Sequence, residues 1–201
     1  MSDAIYIDLL HHGTPEGGRR YRGQQDDPLS EKGWQEMRNS IGDARPWQRI
    51  VSSPLLRCSA FAEQLSKDSG LPLSFDDRLR EVGFGSWEGH TAAELEQQSP
   101  SQVEAFYQDP INARPKDAEP LRDFYQRVGD VLEEQFAGGE NRLLVCHAGV
   151  IRAAVAYVLQ TPLESLYRLN VASASITRLR VGAQRPPTVM WFGCNGGLSS
   201  H

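Results

Sequence analysis

Cysteine, lysine and long apolar runs are the scarce features of this 201-residue sequence. Its three cysteines, Cys58, Cys146 and Cys194, are an odd number without metal-ligand spacing. They imply neither a disulfide framework nor a metal centre, and the expected compartment is a reducing cytoplasm. There is no leading apolar segment with a basic flank and no run of about 18 apolar residues, so neither export nor membrane insertion is expected. A net charge of -5 speaks against a general nucleic-acid binder. Lysine is rare because arginine takes its place, 18 to 3, a bias that reads as codon usage. No internal repeat or low-complexity tract is present, and Gly196–His201 has the composition of a flexible end.

What is present suits one compact enzyme. With 39% hydrophobic residues, the chain can bury a full core as a single domain over 1–201. Helices are expected at about 31–42, 55–69, 92–98, 101–108, 121–137, 149–159 and 163–168 from periodicity and end signals. Thr91 and Glu94 form a capping box, and Gly70 is a helix stop. Strands are expected at Ala4–Leu10, Ile50–Val51, 71–75, Arg142–Cys146, 173–181 and 187–193. Their alternation predicts an α/β fold of three layers, αβα, with a mostly parallel central sheet flanked by helices. The stretch 84–120 is a helical insertion.

Chemistry gathers at strand ends. The first strand runs into His11-His12-Gly13-Thr14, and Arg142–Cys146 runs into His147-Ala148-Gly149. Imidazoles at the carboxyl ends of neighbouring parallel strands would share one crevice, with Gly13 allowing a tight turn. Between them, Ser52-Ser53-Pro54-Leu55-Leu56-Arg57 reads as a helix start, with serine capping and Arg57 in the first turn facing an anion. The glycine- and aromatic-rich segment Leu79–Gly89 has no period and carries two carboxylates, Glu81 and Glu88, either of which suits a proton donor if desolvated.

In this order and spacing the four segments resemble the histidine phosphatase superfamily, with its phosphoglycerate-mutase-like fold, over essentially the whole chain. The resemblance implies that His12 is the nucleophile and Arg57 the phosphate-binding arginine. It makes His147 the second histidine and Glu81 the proton donor, leaving Glu88 structural. It implies an insertion that roofs the pocket and helps select the substrate. A neutral imidazole attacks phosphorus in line to give a phosphohistidine. Arg57, a protonated His147 and His11 stabilise the equatorial oxygens. Thr14 and Arg22 join the phosphate-binding set. No metal or other cofactor is implied, because the pocket supplies its own cations, and the only partner expected is a small phosphate ester.

Within the superfamily the chain is similar to α-ribazole phosphatases, through Tyr21-x-Gly23, Asp27-Pro28-Leu29-Ser30 with Gly33, Phe84-Gly85-x-Trp87-Glu88-Gly89 and Gly149-Val150-Ile151-Arg152. It departs at Lys116-Asp117-Ala118-Glu119, where those enzymes commonly carry Gly-Glu-Ser and where Glu119 is the stand-in acid. It departs again before the nucleophile, where His11 replaces the family's arginine and would be only partly charged near neutrality. Arg19, Arg20 and Arg22 are candidates to restore that charge.

That second departure keeps other classes open. One is a phosphate-binding pseudoenzyme or regulatory module. Another is a mutase, a phosphosugar or phosphoglycerate phosphatase, or a protein phosphatase, although the chain lacks the larger insertion of glycolytic mutases. Cys146-x-x-Gly149-x-x-Arg152 also has the spacing of cysteine-dependent phosphatases, but that reading leaves His12, Arg57 and Glu81 without a role.

Overall fold

In the computed structural model, which describes residues 4–43 and 45–194, six strands join one sheet. The Gly196–His201 end lies outside the described residues. The strands are β1 (Ile5–His11), β2 (Arg49–Ser52), β3 (Leu73–Phe75), β4 (Arg142–Cys146), β5 (Ile176–Gly182) and β6 (Arg185–Cys194), in the order β3-β2-β4-β1-β5-β6. Pairing is parallel from β3 to β1, and β5 runs against both its neighbours.

Period-two alternation decides the layers. Ile7, Leu9, Val51, Leu144 and Cys146 face a cluster built from α5 (Leu121–Ala137), α6 (Ala148–Leu159) and the insertion helices α3 (Ala92–Gln98) and α4 (Pro100–Gln108). Their neighbours Leu10, Ile50, Leu143 and Val145 face the other way, onto α1 (Glu31–Ile41) and α2 (Leu56–Ser69). Each such aliphatic side chain, withdrawn from water, contributes about 1.5–3 kcal/mol. The result is the expected three-layer αβα fold. Asp8 breaks the alternation as a fully buried acid, held bidentately by Arg178 at 2.7 Å and by the Trp47 indole at 2.7 Å. No helix among the described residues is long and apolar enough to cross a membrane.

Several boundaries differ from expectation for local reasons. Leu163–Arg168 is a 3-10 helix, because Ser165 donates from both its amide and its hydroxyl to Pro162 O, three residues back. Strand β5 starts at 176 instead of 173, since 172–175 is a turn with Ala174 at φ 55°. At the start of α2 no serine side chain caps the helix. Leu55 is the cap, and the Ser53 hydroxyl accepts from the Leu55 amide at 3.3 Å while it bonds His147. The α3 capping box and the left-handed stop at Gly70 are as read.

Candidate active site

Strand order makes the site. β4 lies between β2 and β1, and His11 at the end of β1 pairs with Cys146 at the end of β4. His12, His147 and Ser53 therefore leave three adjacent strand ends at the carboxyl edge of the sheet, where open α/β sheets bind ligands. The His12 ring centroid is 4.4 Å from that of His11 and 5.2 Å from that of His147. Arg57, in the first turn of α2 and 1% exposed, donates from Nε to His12 Nε2 at 3.3 Å. Its Nη1 and Nη2 donate to Gln25 O and Gly23 O.

That geometry sets the protonation of His12. Its Nδ1 is 2.8 Å from Gly13 O. A carbonyl only accepts, so Nδ1 carries the hydrogen and Nε2 presents its lone pair. Burial, with the charges of His11 and Arg57 adding to it, holds the His12 pKa well below the ordinary range. The ring is neutral, as an attacking nitrogen must be.

His147 is also neutral, which corrects the expectation of a protonated second histidine. It is wholly buried, with Nε2 2.8 Å from Ser53 Oγ and the Cys58 sulfur 3.6 Å away. Burial and then Arg57 push its pKa well down. His11 follows the same rule: its Nδ1 donates to Ala172 O at 2.8 Å, and burial lowers its pKa to about 4, with Arg152 and Arg57 adding to the effect. It is uncharged near neutrality, not partly charged as its ordinary pKa of about 6.5 implied. Three imidazoles crowded beside a permanent guanidinium in a dry pocket cannot all hold protons.

Glu81 reaches the same place from the loop after β3. Its Oε1 accepts from the Val82 amide at 2.9 Å and its Oε2 from the Gly149 amide at 3.1 Å, in the first turn of α6. A Cβ on Gly149 would lie 2.1 Å from Glu81 Oε1, so a larger residue here would push the end of the Glu81 carboxylate aside. Gly13 allows close approach in place of the expected tight turn, since a Cβ there would meet Gly33 O at 2.1 Å.

The remaining predicted residues are committed to protein partners. Thr14 donates from its amide and hydroxyl to the Glu36 carboxylate. Arg22 is buried against Asp27 and the Glu16 and Gly18 carbonyls, whereas Arg20 is exposed and donates to Gly17 O and Gly89 O. Arg19 is exposed. Glu88 accepts from the Phe84 and Gln24 amides, a structural tie between the insertion and the 21–25 loop that Arg57 grips. Cys146 is fully buried, and burial pushes its thiol pKa well up, so it offers no thiolate. Arg152 donates from Nε to Leu169 O and packs over the Tyr167 ring. The cysteine-phosphatase reading fails on both residues. Sequence reasoning missed Ser53 and Ala172, which orient His147 and His11, because their partners lie 94 and 161 residues away.

A family model of the histidine phosphatase superfamily (branch 1) matches residues 7–193. The chain belongs to this superfamily. The histidine phosphatase is 32% identical over 176 residues to the bifunctional protein Rv2228c of Mycobacterium tuberculosis (strain ATCC 25618 / H37Rv), covering 84% of this chain and 48% of that one. It thus spans about half the length of that relative. It is 28% identical over 181 residues to GpmB of Escherichia coli O1:K1 / APEC, named a probable phosphoglycerate mutase, covering 87% and 84% of the two chains. Among solved structures, the mycobacterial glucosyl-3-phosphoglycerate phosphatase Rv2419c superposes with a TM-score of 0.84 at 27% identity, covering 96% of this chain and 100% of that one. The α-ribazole phosphatase from Shigella flexneri shares the fold, with a TM-score of 0.81 at 24% identity over 96% and 98% of the chains.

Proposed function

We propose that this histidine phosphatase is a metal-independent phosphomonoesterase that hydrolyses a small phosphorylated metabolite through a phosphohistidine at His12. The observation that carries the reading is the neutral His12 ring, its Nδ1 hydrogen spent on Gly13 O and its Nε2 lone pair 3.3 Å from Arg57 Nε. In the reaction Nε2 attacks phosphorus and the ester P–O bond breaks. Glu81, protonated, gives its proton to the leaving alkoxide, then takes one from the water that cleaves the P–N bond. Arg57 turns its Nε from the imidazole to the phosphoryl oxygens, where His147 and, once the bound dianion has drawn a proton onto it, His11 complete the cradle. The enzyme works in the cytoplasm on a free small molecule, without nucleic acid or membrane.

For the leaving group, α-ribazole 5′-phosphate of cobalamin nucleotide-loop assembly is the favoured substrate. What supports it is the sequence likeness to α-ribazole phosphatases; of the aromatic rings on the insertion side, Phe84, Trp87 and Phe106 are core residues, and only Tyr21, Tyr107 and Tyr167 keep exposed ring surface for a flat base. A phosphoglycerate ester is the second reading, on the 28% identity to GpmB. Phosphate release from both esters and from a generic aryl phosphate, measured with chelator present, tests the proposal. His12→Ala must abolish release while Cys146→Ser keeps most of it, and acid-labile phosphate must be trapped on the His12 peptide. Turnover by His12→Ala refutes the mechanism, and a preference for the phosphoglycerate ester refutes the substrate.

A further inference from the structure

We propose that Arg127, braced by Glu119, is the positioning residue that aims the Glu81 carboxylate. The inference rests on the acid–base role of Glu81 proposed above. Arg127 lies on α5, 19% exposed, and every N–H of its guanidinium is used. Nη1 donates to Arg78 O at 2.6 Å and Arg80 O at 2.8 Å, and Nη2 to Glu81 O at 3.2 Å. Nε and Nη2 donate to the two Glu119 oxygens at 2.7 and 2.8 Å.

Three carbonyls within four residues thus converge on one cation. The amides of Leu79 and Arg80 already donate three residues back, to Asp76 O and Asp77 O, which turns the outward carbonyls toward α5. Without Arg127 the Arg78 and Arg80 carbonyls would lose the side chain that holds them, the Glu81 carbonyl would keep only the long contact from Gln24 Nε2 at 3.5 Å, and the segment carrying Glu81 would lose its tie to α5. Glu119 holds the other side of the same short loop, accepting from the Gly83 amide at 3.0 Å while its own amide donates to Gly83 O at 3.1 Å. Glu81 therefore sits between two anchors on one ion pair, and its side chain needs only the Val82 and Gly149 amides to complete its aim. A planar fork is required, because the single ammonium of lysine cannot reach three carbonyls and a bidentate carboxylate together. Arg127 touches no reacting atom and acts through Glu81.

The test compares a poor leaving group, glycerol phosphate, with an activated one, p-nitrophenyl phosphate, in Glu81→Gln, Arg127→Lys and Glu119→Gln. Positioning predicts that Arg127→Lys and Glu119→Gln lower kcat on glycerol phosphate by about 10- to 100-fold with KM changed less than about threefold, the scale of a roughly 1 Å misplacement. On p-nitrophenyl phosphate, which needs little protonation, the loss should stay under about threefold. Glu119→Gln keeps its shape and leaves Arg127 in place, so it reports even if Arg127→Lys fails to fold. Equal losses on both esters in a folded variant, or losses confined to KM, overturn the inference. If Glu81→Gln discriminates between the esters and the other two variants do not, the positioning role alone falls. If Glu81→Gln does not discriminate, the acid–base reading falls and this inference with it.

Discussion

His11 should make anion binding depend on a proton, and the structure sets the size of the effect. Its Nδ1 hydrogen is fixed on Ala172 O, so only Nε2 is left for a phosphoryl oxygen. In the neutral ring that nitrogen is an acceptor and repels the anion. To donate it must be protonated, against a pKa held at about 4 by burial and by Arg152 and Arg57. Three pH units separate that value from neutrality, so protonation costs about 4 kcal/mol, and only a tightly held dianion supplies that much. Sulfate is the right probe because it stays a dianion between about pH 5 and 8, so any proton taken up belongs to the protein. Its Kd, measured calorimetrically, should rise up to about tenfold per pH unit across this range in the wild type. In His11→Arg the charge is permanent, the profile should flatten and binding at pH 7 should tighten, with about a thousandfold as the ceiling. A wild-type Kd that ignores pH refutes the coupling. A slope that persists in His11→Arg also refutes it, by assigning the proton to His12 or His147.

Three further outcomes follow from contacts described above. Gly149→Ala pushes the flexible end of Glu81 off the Gly149 amide, so it should cost under about 1 kcal/mol of stability yet slow poor leaving groups more than activated ones; a neutral effect on both would mean that Glu81 is not held there. The three buried histidines should make the fold acid-labile. Their folded pKa values are lowered, so as pH falls through about 6.5 the unfolded chain takes up protons that the fold refuses. Stability is then present above that pH and drains toward the folded pKa. His11 alone accounts for about 3 kcal/mol between pH 6.5 and its folded pKa of about 4, and an unchanged urea midpoint from pH 7.5 to 5 would contradict this. Asp8→Ala, which strands Arg178 and the Trp47 indole in the core, should cost about 3–5 kcal/mol in urea unfolding; a loss under about 1 kcal/mol would show that the pair is dispensable.

The layered fold and the side chains that gather at the candidate site were legible because their signals are local or repetitive. The apolar runs Ile5–Leu10 and Leu143–Cys146 mark strands buried on both faces without reference to any partner, although which side chain faces which helical layer is set by the fold. Strand-end histidines followed by glycine, and an arginine in the first turn of a helix, carry their chemistry in adjacent residues. Where local signals compete, the reading slipped: Ser53 is a good cap by type, but its hydroxyl is spent on an imidazole 94 residues away. Gly13 looks like a turn residue, yet it is small because the Gly33 backbone approaches from a distant element.

Protonation was beyond the sequence for a related reason. A pKa depends on which charges share a dry volume, and it is the insertion of β4 between β2 and β1 that brings three imidazoles around Arg57 and drives them neutral. The same holds for Arg127, one of 18 arginines with nothing in its neighbours to single it out. Its five hydrogen bonds go to residues between 8 and 49 positions away. Short-range order along the chain was enough to determine most strands and helices and to single out His12, Arg57, Glu81 and His147, which the fold brings together, but not to tell them from Thr14 and Arg22, which it commits elsewhere. The protonation of the three histidines, the tautomer of His11, the need for glycine at Gly13 and the hydrogen bonds that Arg127 makes were decided by long-range packing, because hydrogen-bond geometry and desolvation act through space.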